Sequence, residues 1–182
     1  MYSMVQAGSM GVPFIAVRGL LGSDILKHRP DLKVEENPFH PGEQVVVAQP
    51  LRPDVGLFHA LKADRRGNCI TAGLRDDWIM ARAARKVIVT AEEIVDHDLS
   101  LQDAPNNTFL PAVDVDAVVK VPFGAHPSRC GPLYPVDDAH MKEYLVAAKA
   151  ERSFQEYLEK YVFTADGHSE YLKRAGVAAI AA

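Results

Sequence analysis

The sequence predicts an α/β domain: an open, mostly parallel sheet flanked by helices. Three observations point there. Apolar runs of strand length recur at 13–17, 44–48, 55–60 and 87–90. Between and after them lie segments with helical spacing and helix-end signals. One apolar run stops in the polar, glycine-bearing turn Ala63-Asp64-Arg65-Arg66-Gly67-Asn68, after which Cys69-Ile70-Thr71 resumes an extended pattern. Ligands of open α/β sheets sit outside the carboxyl ends of strands, so a loop carrying a carboxylate, two guanidiniums and an amide is a candidate site wall. The same residues also make an ordinary solvated β-turn, with Gly67 at positive φ and Asn68 favouring the turn.

The elements follow in order. Residues 13–17 form a short strand ending at Arg18-Gly19, and the loop Leu20-Leu21-Gly22-Ser23-Asp24 carries two residues suited to cap a helix. Residues 28–43 hold Pro30, Pro38, Pro41 and Gly42 among several charges, which suits an irregular surface segment. Two apolar strands, 44–48 and 55–60, flank the turn Pro50-Leu51-Arg52-Pro53. A helix is expected from Asp76-Asp77 through Trp78, Met80 and Ala84 to Arg85-Lys86, its acidic start and basic end both matching the helix dipole. Val87-Ile88-Val89-Thr90 is continuously apolar, the pattern of a strand covered on both faces. Residues 113–121 alternate and then become fully apolar, a further strand running into Pro122-Phe123-Gly124-Ala125-His126-Pro127-Ser128.

The last third reads as helical. Asp137-Asp138 can cap a helix reaching about Lys149. Ser153-Phe154-Gln155-Glu156 fits a capping box, and Phe154, Tyr157, Leu158, Tyr161 and Val162 form one apolar stripe suited to core packing. A short helix over 169–175 stops at Gly176, and 177–182 reads as a loose tail. One domain over 1–176 is therefore expected.

Composition sets the function classes. A chain of 182 residues is long enough to bury roughly 70% of the surface it exposes when unfolded. A net charge of −4 argues against a general nucleic-acid binder, because phosphate binding needs a basic surface. No apolar run approaches eighteen residues and no signal-peptide pattern opens the chain, so no membrane association is expected and the cytoplasm is the expected location. Cys69 and Cys130 have no partner at metal-ligand spacing, so both are read as reduced thiols and no metal is expected. Neither a Gly-x-Ser-x-Gly elbow nor a dinucleotide fingerprint occurs.

The ordered motifs Gly8-Ser9-Met10-Gly11-Val12-Pro13-Phe14, Val17-Arg18-Gly19-Leu20-Leu21-Gly22-Ser23-Asp24, Leu51-Arg52-Pro53-Asp54-Val55 and Ala63-Asp64-Arg65-Arg66-Gly67-Asn68 point further. Met80-Ala81-Arg82-Ala83-Ala84, Val89-Thr90-Ala91-Glu92-Glu93-Ile94-Val95 and Val121-Pro122-Phe123-Gly124-Ala125-His126-Pro127 continue the series. Together they resemble the α (A) subunit of family I coenzyme A transferases, of the glutaconate CoA-transferase A-subunit type, over about residues 7 to 175. A-subunits of that family are about half as long again, so the chain reads as lacking their N-terminal portion. A sheet short of strands leaves an unpaired edge, and compensation by a partner is expected.

The resemblance implies a subunit of a hetero-oligomeric enzyme that moves CoA between an acyl-CoA and a carboxylic acid acceptor, together with a homologous β subunit. Coenzyme A is then a substrate, no bound cofactor is implied, and the nucleophilic Glu belongs to the β subunit. Glu92-Glu93 invites a nucleophile assignment, but a pair that follows a buried strand is read as structural or solvated. Arg18 and Arg52 offer planar guanidiniums to a CoA phosphate or a substrate carboxylate, or pair with surface acids. Pocket candidates are Arg18, Gly19, Asp64, Gly67, Asn68 and His126. The last four are expected to share one cleft at the strand ends, with Asn68 orienting the acyl or pantetheine part. A lone His126 equally suits a structural hydrogen bond. Two alternatives stay open: the α subunit of a related hydrolase that opens a ring in an acyl-CoA, and a non-catalytic scaffold subunit.

Overall fold

The computed structural model describes residues 1–177. Its first unit is a small antiparallel sheet of β1 (Ile15–Val17), β2 (Leu32–Glu36) and β3 (Gln44–Ala48), in the order β1-β3-β2. Helix α1 (Tyr2–Met10) supplies Met4, which packs with Leu32, Val46 and Ala48. Strand β2 falls inside the segment expected to be irregular. Only Leu32 of its five residues is buried, so as an edge strand it shows no apolar alternation that a sequence pattern could register. Ser23 bonds the Ile25 amide through its hydroxyl at 3.1 Å ahead of α2 (Ile25–His28), while the Asp24 side chain makes no cap bond.

The second sheet has the order β7-β5-β4-β6-β8. Its strands are β4 (Val55–Asp64), β5 (Cys69–Thr71), β6 (Lys86–Val95), β7 (Thr108–Leu110) and β8 (Ala117–Lys120). The central strands β4, β6 and β8 run parallel, whereas β5 and β7 add antiparallel on the β4 side. The expected parallel sheet is thus its middle, and the whole is mixed. Helix α3 (Asp77–Ala83) joins β5 to β6 and packs Ala81 onto Ala60, Ala63, Val87, Val89, Ala91 and Leu110. Small side chains in mid-strand let the helix approach closely. Ala60 and Ala63 are three apart yet share this core because a bulge between Ala60 and Lys62 breaks the two-residue alternation. Leu61 is thereby turned to the other side, against Cys130 and Tyr134.

Several boundaries move. The α3 helix ends at Ala83 because Arg85 and Lys86 donate their amides to Pro53 and Asp54 and enter the sheet. Strand β6 continues past Thr90 to Val95, so Glu92 and Glu93 lie within a strand rather than after one. Residues 112–114 form a 3-10 turn ahead of the short β8.

The C-terminal helices are α4 (Asp138–Ala147), α5 (Glu151–Leu158), continuing as a π-helical turn Glu159–Phe163, and α6 (Gly167–Arg174). Asp137 caps α4, accepting from the His140 amide. Helix α5 starts before the expected capping box. Ser153 lies inside its first turn and donates its hydroxyl to the Ala147 and Ala150 carbonyls. In the expected stripe Tyr161 is buried, while Val162 is 56% exposed because the π-turn rotates it outward. Val177 is buried rather than part of a loose tail, and residues 178–182 lie outside the described residues. No helix among the described residues is long and apolar enough to cross a membrane.

Helix α1 also approaches backbone closely at Gly8. A Cβ placed there would sit 2.3 Å from the Leu51 carbonyl oxygen and 3.3 Å from Ala83 Cβ, so backbone has to move. Gly8→Ala should therefore destabilise the chain by about 1–3 kcal/mol despite its helical propensity, read as a lower urea midpoint. An unchanged midpoint would show that α1 floats on this contact.

Candidate functional site

The turn that drew attention in the sequence is a scaffold. Asp64 ends β4 with 3% exposure, and its carboxylate accepts four hydrogen bonds. Oδ1 takes the amides of Arg66 and Asn68 at 2.8 and 2.9 Å, and Oδ2 takes Asn68 Nδ2 and the Leu99 amide at 2.7 and 2.8 Å. Asn68 also accepts from the Ala112 amide at 2.8 Å through Oδ1. Both ends of its amide thus make hydrogen bonds within the fold. Gly67 is needed for its φ of 101°. Burial acts to raise the Asp64 pKa, but the bonds from Asn68, Leu99 and Arg66 outweigh it and hold the carboxyl below its ordinary value. The neighbouring Cys69 thiol is pushed up to about 12 by burial and by Asp64, and is no nucleophile at neutral pH.

Asp64 and Gly67 are separated from His126 by the cavities they border. Asp64 and Gly67 border a cavity of about 350 Å³ with Arg65, Arg66, Ile94 and Lys120. His126 borders a different one of about 220 Å³, with Phe123, Tyr134, Asp137 and Val177. Asn68 borders neither. Strand β8 is the reason: its last residue Lys120 pairs level with Ala91, four residues short of the β6 end, so the chain after it turns back over the sheet face. Arg18 lies on the surface, 84% exposed, paired with Glu43 at 3.1 Å. Gly19 lines a cavity of about 470 Å³ beside Met4, Leu32 and Ala48 in the small sheet. Arg52 is exposed.

A different constellation occupies the large cleft. Strands β4 and β6 are in register at His59 and Thr90, which places His59 one pleat from Glu92. His59 Nδ1 meets Thr90 Oγ1 at 2.8 Å, and Nε2 donates to Glu92 Oε1 at 2.6 Å. Glu92 Oε1 also accepts from the Tyr134 hydroxyl, and Oε2 accepts from the Phe123 amide at 2.7 Å. As a carboxylate, Glu92 is an acceptor only, so Nε2 of His59 carries the proton in that contact. The Glu92 side chain is 9% exposed and that of Glu93 is 57%, because neighbouring strand residues face opposite ways. Both oxygens of Glu92 accept hydrogen bonds from within the fold. Burial, and then the bond to Glu92, hold the Tyr134 hydroxyl far above its ordinary pKa. Burial and the Glu92 charge likewise keep Cys130 a thiol.

This network forms one wall of a cavity of about 630 Å³, into which His59, Ala125, Ser128, Arg129, Arg75 and Met80 look. Arg75 is tied to Asp77 at 3.1 Å. Arg129 makes no ion pair among the described residues, so its guanidinium is available to an anionic ligand. A polar histidine inside an apolar strand was the available sequence signal. Pairing it with Glu92, 33 residues away, required the strand register.

The scaffold reading of Asp64 sets a pH dependence. Its folded pKa lies below the unfolded value of about 3.9, so its stabilisation is present above that pH and is lost as pH falls through the folded pKa. Asp64→Asn places a donor against the Leu99 amide and should cost about 2–4 kcal/mol at neutral pH. The variant should also lose this part of the acid-induced drop in urea midpoint. A midpoint and acid slope equal to the parent chain's would contradict the assignment.

Comparison with known proteins gives the family and the fold. The family model described as "Coenzyme A transferase" matches residues 1–121. The A-subunit of glutaconate CoA-transferase from Acidaminococcus fermentans is 36% identical over 191 residues, covering 96% of this chain and 59% of its own length. The crystal structure of that enzyme superposes with a TM-score of 0.86 at 33% identity, over 97% of this chain and 61% of that one. A variant of the decarboxylase AibA/AibB gives a TM-score of 0.74 at 38% identity, over 86% and 56% of the two chains. A cholesterol ring-cleaving hydrolase IpdA subunit of Rhodococcus jostii is 28% identical over 166 residues, covering 87% of this chain and 56% of its own length. The chain thus spans somewhat under three fifths of the length of these curated relatives.

Proposed function

The chain belongs to the coenzyme A transferase family, and we infer that it forms part of the α subunit of a cytoplasmic, hetero-oligomeric CoA transferase. The substrates are an acyl-CoA and a carboxylic acid acceptor. A carboxylate of the β partner attacks the thioester carbonyl to give a mixed anhydride and CoA thiolate. The thiolate then attacks the enzyme-side carbonyl of the anhydride, forming an enzyme thioester and releasing the donor acid as its carboxylate, and the acceptor acid reverses the sequence. The observation that carries this reading is the superposition of 97% of this chain on 61% of a glutaconate CoA-transferase chain.

The residues of this chain suit support rather than attack. Both thiols are held protonated, and both oxygens of Glu92 are occupied by donors. The cleft beside His59 supplies an apolar floor from Leu57, Met80 and Ala125, with Arg129 at its edge. Arg129 is suited to a carboxylate or phosphate of the bound substrate, which a planar guanidinium grips in two places. His59 is held by Thr90 and Glu92 in one orientation facing the cleft. Asp64, Gly67 and Asn68 support the fold beneath a neighbouring cavity, and no substrate contact is assigned to them.

A second reading has an observation of its own: the 38% identity to a decarboxylase with the same fold. One assay separates the two, and the hydrolase and scaffold alternatives with them. The chain alone should show no CoA exchange; with its β partner, exchange should require an acceptor acid, and trapping should label no Glu of this chain. Carbon dioxide release, free CoA formed without acceptor, or no turnover at all would each overturn the transferase reading. Within the active assembly, Arg129→Ala should raise KM for one of the two substrates by about 10–100-fold through loss of a charge-assisted hydrogen bond of about 1.5–3 kcal/mol. An unchanged KM for both would remove Arg129 from the substrate cleft.

A further inference from the structure

A second set of ligating groups lies in the C-terminal part, away from the large cleft. His126 arrives on the loop after β8, Asp137 caps α4, and His140 sits in the first turn of that helix. One ring nitrogen of each imidazole and a carboxylate oxygen of Asp137 lie within 4.8 Å of one another. The His126 side chain is 4% exposed, that of Asp137 is 21% exposed, and His140 is buried.

The unused and used atoms divide in an informative way. His126 turns Nε2 toward Asp137 Oδ2 at 3.1 Å, and its Nδ1 is held by the Tyr171 hydroxyl at 2.6 Å. His140 has Nε2 held by the Tyr157 hydroxyl at 2.8 Å, with no bond to Nδ1 among the described residues. Asp137 Oδ1 accepts from the His140 amide at 2.9 Å, leaving Oδ2 to face His126. His126 and Asp137 therefore turn one atom toward each other while a second is tied down from behind, and the His140 imidazole is fixed by Tyr157. Ligating histidines commonly keep their second nitrogen fixed in this manner, which sets tautomer and ring orientation.

We propose that His126, Asp137 and His140 bind one divalent first-row cation of the Zn²⁺ class. Two imidazoles and one carboxylate match borderline cations and not Mg²⁺ or Ca²⁺, which select oxygen donors. Metal–ligand bonds of about 2.0–2.2 Å in tetrahedral geometry separate donors by about 3.3 Å. The His126–Asp137 pair already meets that spacing, and the other separations, all within 4.8 Å, have to close by at most about 1.5 Å. The adjoining 220 Å³ cavity, bordered by His126 and Asp137, gives room for a water in the fourth position and a path for the ion. The bound cation ties the 121–137 loop to α4, and through Tyr171 to α6. Spacing along the chain hides the site, because the histidines are fourteen residues apart and only the fold of the loop brings them together.

The test is titration of the chelator-treated chain with Co²⁺, followed by its visible absorption, and with Zn²⁺ by calorimetry. One equivalent should bind with Kd below about 10 µM, the Co²⁺ spectrum should be that of a four-coordinate ion, and Zn²⁺ should raise Tm. Asp137→Asn keeps an N-cap acceptor while removing the ligand charge, and should weaken binding at least tenfold with unchanged circular dichroism. His140→Gln should abolish the spectrum. Tyr171→Phe should weaken binding about tenfold or more by freeing the back of His126. His59→Ala, at the separate His59–Glu92–Cys130 cluster, should leave the stoichiometry and affinity unchanged. No saturable binding, parental affinity in both Asp137→Asn and His140→Gln, or loss of binding in His59→Ala would each overturn the proposal.

Discussion

One carboxylate in mid-sheet, that of Glu92, sets the positions of most of what lies on its side of the structure. Withdrawing a charged group from water costs several kcal/mol, and the cost is offset only where donors replace the lost solvation. Here the donors are His59 from the neighbouring strand, the Phe123 amide and the Tyr134 hydroxyl. The last two belong to the excursion after β8, so this one group fastens that excursion to the sheet. Cys130 and Tyr134 pair across it as an isolated bridge, and Phe123 stacks on the Tyr134 ring with centroids 4.9 Å apart. The wall carrying Ser128 and Arg129 is therefore held from its underside, as is the approach of His126 to α4.

Asp64 does comparable work at the end of β4, gathering the 64–68 turn and the Leu99 amide around one charge. The two acids mark a common pattern in this chain. Residue types that suggest chemistry, in motifs that identify the family, here accept donors from within the fold, backbone and side chain alike. Polar atoms facing the large cleft come instead from positions between motifs or at their edges, such as Arg75, Ser128 and Arg129. A family resemblance carried by such motifs therefore locates the fold more firmly than it locates the contacts to substrate.

This pattern explains what could be read from the sequence. Strands buried in the sheet centre, such as Gln44–Ala48 and the first half of β6, declare themselves because both faces or one full face are apolar. Strand β2 does not, since four of its five residues are exposed. The apolar run of β6 ends at Thr90, yet the strand continues because Glu92 and Thr90 find partners across the ladder. Asn68 and His126 lie apart for a related reason: β8 ends four residues short of β6. Register is a tertiary property, and neither composition nor spacing along one strand contains it.

The most direct test of the central role of Glu92 is a double-mutant cycle with Tyr134 in urea unfolding of the chain. Glu92→Gln should cost about 3–5 kcal/mol, because a buried donor network loses its acceptor charge. Tyr134→Phe should cost less, and the pair should be coupled by about 1–3 kcal/mol. Additivity within about 0.5 kcal/mol would contradict the account, showing that the 121–134 excursion is held to the sheet by its apolar contacts and not by the carboxylate beneath it.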